Sequence, residues 1–391
     1  MVSFREATRA GVGISIVQRA TLQNMCHSEP VTDVTGVGIS LVIETMYFSR
    51  WGLPLKPARW FANTGNSLVR GWMRAASHLL KHLNQTHHKK SAKIYKEATM
   101  EYTIENEYLK VTVTTWGAQV KSAVRKSDGA EHIWQADPAV WGYHAPILFP
   151  HAGKVVDGKI AAKGGVYESG QHGFARLMEH TLVEQTENCV VLELCANEET
   201  LARFPYDFRL VSVFALENDT LHHTLTVENL DEEKLPFGIG FHPGFAIPFD
   251  DQHTYRDYEL RFSETESPLC VGCLPKGLVH GNCYRLGANI DTIPIDEHLF
   301  DNDSHCMVNL RSQTLGIYEK GTGRAVVCDI SEFPYTLIWS KPGKPQFVCI
   351  EPWHSLPSQE DGSINWEEKP AAAILAPGES WSTTLSTRFA R

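Results

Sequence analysis

The chain has 391 residues, 42% hydrophobic and 21% charged, with a formal net charge of −10, a composition suited to a globular protein that buries a core. That length admits two or three average domains or one large β domain, and the acidic balance argues against a nucleic-acid partner, whose phosphates call for clustered cations. No run of 18 or more apolar residues occurs; the best stretch, Val34 to Phe48, is interrupted by Thr35, Ser40, Glu44 and Thr45 and is too short to span a bilayer.

Residues 1–99 read differently from the rest. They carry 13 Lys+Arg against 5 Asp+Glu, whereas the remainder carries 23 against 41. Ser67 to Leu83 is helix-compatible, with Leu68, Met73, Leu79, Leu80 and Leu83 near helical spacing, and the basic tract His87-His88-Lys89-Lys90 follows. We assign residues 1–99 as an N-terminal extension, poorly structured or helical, and three readings stand open. It is sequence upstream of a natural start at Met100, a targeting or regulatory extension of Arg-rich, acid-poor composition, or a small helical domain.

At Met100 the pattern changes. Leu109, Val111 and Val113 alternate with Lys110, Thr112 and Thr114, the period of a half-buried strand. Strand-like runs then recur at Gln119 to Val124, Cys189 to Leu194, Leu210 to Ala215, Leu221 to Val227, Thr314 to Tyr318, Ala325 to Ile330, Leu337 to Ser340 and Phe347 to Ile350. Turn residues divide them, among them Ser127-Asp128-Gly129, Asp157-Gly158, Lys163-Gly164-Gly165, Glu217-Asn218-Asp219 and Gly321-Thr322-Gly323. Frequent strands without helical periods between them predict an all-β antiparallel sandwich or barrel over residues 100–391. Roughly 290 residues is too many for an immunoglobulin-type sandwich of about 100, so two extended stacked sheets fit better.

Nine scattered cysteines, an odd number, favour reduced thiols in a cytoplasmic setting over a disulfide scaffold. Cys270 and Cys273, followed by His280 and Cys283, match paired zinc ligands only loosely; buried or loop thiols are the better reading.

Three segments place a titratable residue among Gly, Pro and aromatics at the end of a strand-like run: Gln171 to Arg176, Phe237 to Phe245 and Phe347 to Trp353. Glu351, before Pro352-Trp353, is expected beside apolar groups that raise a carboxylate's pKa toward the range of a general base; a carboxylate that merely caps a turn is the alternative. His242, between Phe241 and Pro243, titrates near neutrality and suits a proton donor, although a satisfied structural histidine is commoner. His172 is placed to orient or polarise a ligand oxygen. A P-loop and a Gly-x-Ser-x-Gly elbow are missing, and no zinc-protease pattern occurs in residues 100–391, so no metal or cofactor is expected.

These segments resemble the aldose 1-epimerase (galactose mutarotase-like) family, in its LacX-like branch. The likeness runs from Met100 to Arg391 through Trp134-Gln135, Ala145 to Pro150 with Gly153, Gln171 to Arg176, Pro205 to Phe208, Gly240 to Phe245, Phe333 to Tyr335, Trp339 to Gly343, Ile350 to Trp353 and Leu375 to Glu379. The resemblance implies a large antiparallel β-supersandwich with a cleft on one sheet, and an isomerase that interconverts the anomers of a free aldose. It implies Glu351 as the base at the C1 hydroxyl, His242 as the acid at the ring oxygen, and His172 as a binder of sugar oxygens. Arg176 is expected to hold its segment or contact sugar hydroxyls, with a surface ion pair as the equal alternative. Lys154 stands where the family usually has arginine and keeps the charge without the planar fork; His144 also replaces a frequent arginine. Asp303 lies where a sugar-binding aspartate is expected.

The partner is thus a small aldose, with no nucleic acid or membrane, and the assembly a monomer or homodimer. The variant readings are a hexose-6-phosphate epimerase, for which Lys154, His151 and Arg176 are the available cations, a non-catalytic carbohydrate-binding protein, and a polysaccharide-active module. A chain beginning at Met100 is expected to fold and to retain the activity, checked by comparing its solubility and turnover with the full chain; an insoluble or inactive product overturns the assignment of residues 1–99.

Overall fold

The structure, a computed structural model, describes residues 99–391; the extension, its Ser67–Leu83 helix and the basic tract lie outside the described residues. Two large sheets dominate. The larger has nine strands in the spatial order Ile290–Pro294, Tyr258–Glu266, Thr314–Glu319, Ala325–Asp329, Ser380–Ala390, Thr220–Asn229, Phe208–Glu217, Cys189–Cys195 and Thr181–Gln185. The second runs Cys283–Arg285, Leu269–Val271, His305–Val308, Tyr335–Trp339, Phe347–Trp353, Gly240–Phe241 and Ile147–Leu148, with Gly244–Ala246 also paired to Phe347–Trp353. Neighbouring strands pair antiparallel in both. A three-stranded sheet, Glu101–Glu105, Leu109–Thr114 and Gln119–Arg125, precedes them.

Alternation explains the layering. Along Thr220–Asn229 every second residue is buried, and Leu221, Leu225 and Val227 enter the core with Phe214 and Leu385 of adjacent strands. From the second sheet Ile147, Phe241, Phe245, Ile338, Val348 and Ile350 join the same apolar cluster. Side chains of period two from two facing sheets fill one slab, the arrangement of a β-sandwich. Turn chemistry closes the hairpins: Asn218 adopts φ 51° between Phe208–Glu217 and Thr220–Asn229, and Lys163 and Gly164 adopt φ 47° and 73° between Lys159–Ala162 and Gly165–Glu168. Asn and Gly take left-handed conformations at least cost. Among the described residues, the one α-helix is the single turn Glu198–Leu201, capped by Asn197, and no helix is long and apolar enough to cross a membrane.

Each strand-like run named from the sequence coincides with a strand, most of which extend one to four residues further, while Ile330 and Ser340 fall one residue beyond theirs. Tyr258–Glu266 and Ser380–Ala390 were not anticipated. In the second, Thr383, Leu385, Thr387 and Phe389 face inward while Ser382, Thr384 and Ser386 face outward. Threonine on both faces flattens the hydrophobic contrast on which period-two reading depends.

The core holds an unusual number of neutral histidines. His132, 0% exposed, lies edge-on to Phe249 at 4.7 Å between ring centroids, and neither ring nitrogen has a hydrogen-bond partner among the described residues. Burial holds His132, His151 and His223 down to about 3, and His180 and His354 to about 4, from the ordinary 6.5. As pH falls below 6.5 the unfolded chain takes up protons at these positions while the native state stays neutral, so stability drops until about pH 3 to 4. Thermal melts should therefore show Tm declining steadily from pH 6.5 toward 4, and His132→Leu should flatten that decline; a wild-type Tm constant over this window would contradict the account.

Candidate active site

The strand Phe347–Trp353 builds the site by simple alternation. Val348 and Ile350 enter the main core. Phe347 and Cys349 point to the other face, where they pack with Trp134, Val140, Trp141 and Trp339. Glu351, two residues on from Cys349, lies on that same face. Register with Tyr335–Trp339 sets Leu337 beside Glu351 and Trp339 beside Cys349.

His242 arrives from the other side of this strand, between Gly240–Phe241 and Gly244–Ala246, with its backbone N–H donating to Pro146 O at 3.1 Å. The flanking glycines are required by close approach. A Cβ at Gly240 would stand 2.5 Å from Trp353 Cδ1, and one at Gly244 would stand 2.8 Å from Trp141 Cζ3. The imidazole is consequently clasped: Trp141 stacks on it with centroids 5.0 Å apart and planes 26° apart, and Trp339 meets it edge-on at 5.7 Å. Its Nε2 lies 3.2 Å from Glu351 Oε2.

His172 is presented by a left-handed pair, His172 at φ 66° and Gly173 at φ 67°. A Cβ at Gly173 would collide with Phe149 O at 2.2 Å, so only glycine allows the chain to cross there. The Gly153 N–H donates to His172 Nδ1 at 3.0 Å, which leaves the proton of the neutral ring on Nε2. His172 stands edge-on to His242, centroids 5.4 Å apart, and to Trp353 at 5.7 Å.

Electrostatics follow from burial. Glu351 is 2% and His242 7% exposed. Desolvation pushes the Glu351 carboxyl well above the usual range, and the negative Asp303 adds to the rise. Desolvation holds His242 down to about 3, with the Arg176 charge acting the same way, and holds His172 well below its usual value. Burial therefore favours a protonated carboxyl beside a neutral imidazole. That state carries the same number of protons as a carboxylate beside an imidazolium, and the two differ by one transfer across the 3.2 Å gap.

The other expected site residues lie around this centre at different depths. Asp303, exposed at φ 65°, is near enough for its charge to act on Glu351, Cys273 and His305. Arg176 is half-buried; its guanidinium lies 4.7 Å over Tyr143, Nη2 donates to Gln171 O at 2.9 Å, and Nε has no partner among the described residues. The surface ion pair offered as its alternative is not among the ion pairs of the described residues. Lys154 is exposed and its Nζ donates to Lys276 O at 3.2 Å. His151 does not join the group: fully buried, its ring is held between Gly153 O at 3.1 Å and Ser169 Oγ at 2.7 Å. His144 Nδ1 is engaged by Trp134 O at 2.8 Å. Trp141 and Cys349 were not singled out from sequence. The signal for Trp141 was the aromatic density of Trp134 to Tyr143; Cys349 could be found only from its two-residue spacing to Glu351.

Among the described residues, two sets of His, Cys, Asp or Glu bring ligand atoms within 4.8 Å of one another: His242, Cys349 and Glu351, and Asp250, His253 and Glu319. Cys270, Cys273, His280 and Cys283 form no such set, and burial raises the Cys270 and Cys273 thiols to about 12 and about 11, in keeping with uncharged thiols.

Comparison with known proteins places this geometry in context. The family model described as Aldose 1-epimerase matches residues 100–388. The plasmid and chromosomal forms of Protein LacX from Lactococcus lactis subsp. lactis are 33% and 34% identical over 296 residues, which cover 71% of this chain and 95% of each relative. Among solved structures, a galactose mutarotase related enzyme from Lactobacillus acidophilus superposes with a TM-score of 0.71 at 29% identity, covering 74% of this chain and 97% of that one. A galactose mutarotase-like protein from Lactobacillus casei ATCC 334 gives 0.69 at 29% identity, with 74% and 99% covered.

Proposed function

The chain belongs to the aldose 1-epimerase family and is therefore an isomerase, and on that premise we propose that it is a mutarotase that interconverts the α and β anomers of a free hexose. The observation that carries this reading is the 3.2 Å approach of His242 Nε2 to Glu351 Oε2 on one tryptophan-lined face.

Ring opening needs one proton removed and one supplied. Glu351, as carboxylate, takes the proton of the C1 hydroxyl; the electrons of that O–H bond form the carbonyl as the bond from C1 to the ring oxygen breaks. His242, as imidazolium, protonates the departing ring oxygen. The aldehyde then turns about the C1–C2 bond, and the hydroxyl returns to the opposite face. In closure the hydroxyl proton goes back to His242 and the carboxyl proton to the new C1 oxygen. The pair holds one proton throughout, so no exchange with solvent is needed between opening and closing. Sugar hydroxyls that solvate the pair favour its charged form over the neutral one, which burial alone prefers. His172, protonated on Nε2, donates to a sugar oxygen in place of the Gln171 side-chain amide that Nε2 meets at 3.1 Å, and Trp141 and Trp339 supply flat apolar surface for the sugar's C–H face.

Carbohydrate binding alone would not call for a carboxyl and an imidazole in contact and desolvated together. A phosphorylated hexose is less well served than a free one. Of the three cations available to it, His151 is sealed in the core, which leaves Arg176, with one donor taken by Gln171 O, and the exposed Lys154, whose Nζ donates to Lys276 O.

Polarimetry of freshly dissolved α-D-glucose and α-D-galactose tests the reading. Wild type should speed equilibration, and Glu351→Gln or His242→Asn should each lose roughly 10²–10⁴-fold, the usual contribution of one positioned acid or base. A wild-type protein that leaves the spontaneous rate of every free and phosphorylated hexose unchanged would replace this reading with the carbohydrate-binding one.

A further inference from the structure

Proton transfer to and from a hemiacetal uses a carboxyl and an imidazole; it has no use for a thiol. Yet Cys349, a free and fully buried cysteine, sits two residues before Glu351 on the same strand face, and its sulfur, a His242 ring nitrogen and a Glu351 oxygen all lie within 4.8 Å of one another. We propose that His242, Cys349 and Glu351 form a binding site for a soft divalent cation of the zinc class, which blocks the isomerase by occupying its acid–base pair.

The donor set fits. Imidazole nitrogen, thiolate sulfur and carboxylate oxygen are the three ligand types zinc takes, and three protein ligands leave a fourth position for water or an incoming molecule. The spacing fits as well. Tetrahedral bonds of about 2.0–2.1 Å place a nitrogen and an oxygen ligand about 3.3 Å apart, against the observed 3.2 Å between Nε2 and Oε2. The sulfur lies within 4.8 Å of both and has to approach further to make a zinc–sulfur bond of about 2.3 Å. Charge is the third argument. Burial holds both the Cys349 thiol and the Glu351 carboxyl protonated above their ordinary ranges, so the cation has to displace two protons; the thiolate and carboxylate it then binds cancel its double positive charge, and the loaded site is neutral, as desolvated surroundings require. Thiolate also selects soft cations over magnesium or calcium.

The other set of potential ligands lacks these properties. Asp250 and Glu319 are both bonded by the Arg324 guanidinium, with Nε of Arg324 2.9 Å from Glu319 Oε1. A fixed cation already compensates those carboxylates and repels a second one. Among the described residues no lysine or arginine pairs with Glu351, whose partner is His242.

Binding in this proposal stands on geometry alone, whereas inhibition rests on the acid–base reading above, and the experiment separates them. The full chain, stripped with a chelator, is titrated with Co²⁺ and then with Zn²⁺. The expected result is a thiolate-to-cobalt charge-transfer band together with the visible bands of tetrahedral cobalt, both displaced by Zn²⁺. In Cys349→Val the charge-transfer band should vanish. Loss of an outer-shell partner alone weakens metal affinity about 10- to 100-fold, so loss of the thiolate itself should weaken Zn²⁺ more than about 100-fold. Cys349→Ser, which keeps the side chain's size, serves if the valine variant does not fold. Metal-free mutarotation should persist in either variant, and Zn²⁺ should slow the wild type in competition with sugar but not the variants at the same concentration. A cobalt spectrum without the thiolate band, or equal Zn²⁺ affinity in wild type and variant, overturns the site. A thiolate band that Cys349→Val abolishes, with wild-type mutarotation undiminished by saturating Zn²⁺, overturns the inhibition. A chain that shows no mutarotation at all but keeps the band refutes the catalytic reading and leaves the site standing.

Discussion

The site depends on one constraint: a carboxyl group and an imidazole are held together out of water. Water would solvate the two charges separately and leave each near its ordinary titration range. Under the indoles of Trp141 and Trp339, beside Phe347 and Trp353, neither group is ionised cheaply on its own, and each becomes the other's partner. The rest of the fold serves that exclusion. The glycines flanking His242 let Trp353 and Trp141 approach closely, and the left-handed turn at His172 brings a second imidazole to the edge of the first.

Dry surroundings also explain why so much of this chain's histidine is structural. His132, His151, His180 and His223 lie in the same kind of environment as His242 and have the same depressed affinity for protons. What sets His242 apart is its partner. His151 meets a carbonyl and a hydroxyl, and His223 stacks on Phe214, whereas His242 meets a carboxyl. A histidine's environment thus fixes its charge, and its neighbour fixes its use.

Much of this was legible in the sequence, for identifiable reasons. Strands with one wet and one dry face show strict alternation, so Leu109–Thr114, Thr220–Asn229 and their like could be read directly. Ser380–Ala390 could not, because threonine fits both faces. Glu351, His242 and His172 were visible because glycine, proline and aromatics crowd round them, marks of tight backbone approach and apolar walls. Their convergence was not visible: residues 172, 242 and 351 meet only through strand pairing between distant segments. Cys349 and Trp141 were hidden for the same reason, and His151 misled because a histidine three residues before Lys154 reads as a cation until its burial is known.

The strand Phe347–Trp353 serves two masters. Its even-numbered residues Val348 and Ile350 anchor the core, and its odd-numbered residues Phe347, Cys349 and Glu351 line the opposite face, where Glu351 meets His242. Sliding this segment by a single position along its neighbours would drive the carboxyl into hydrocarbon and turn isoleucine toward the sugar. Folding fidelity and chemical competence are therefore the same property here. An inserted or deleted residue within these seven positions would reverse which side chains face the core and which face the site.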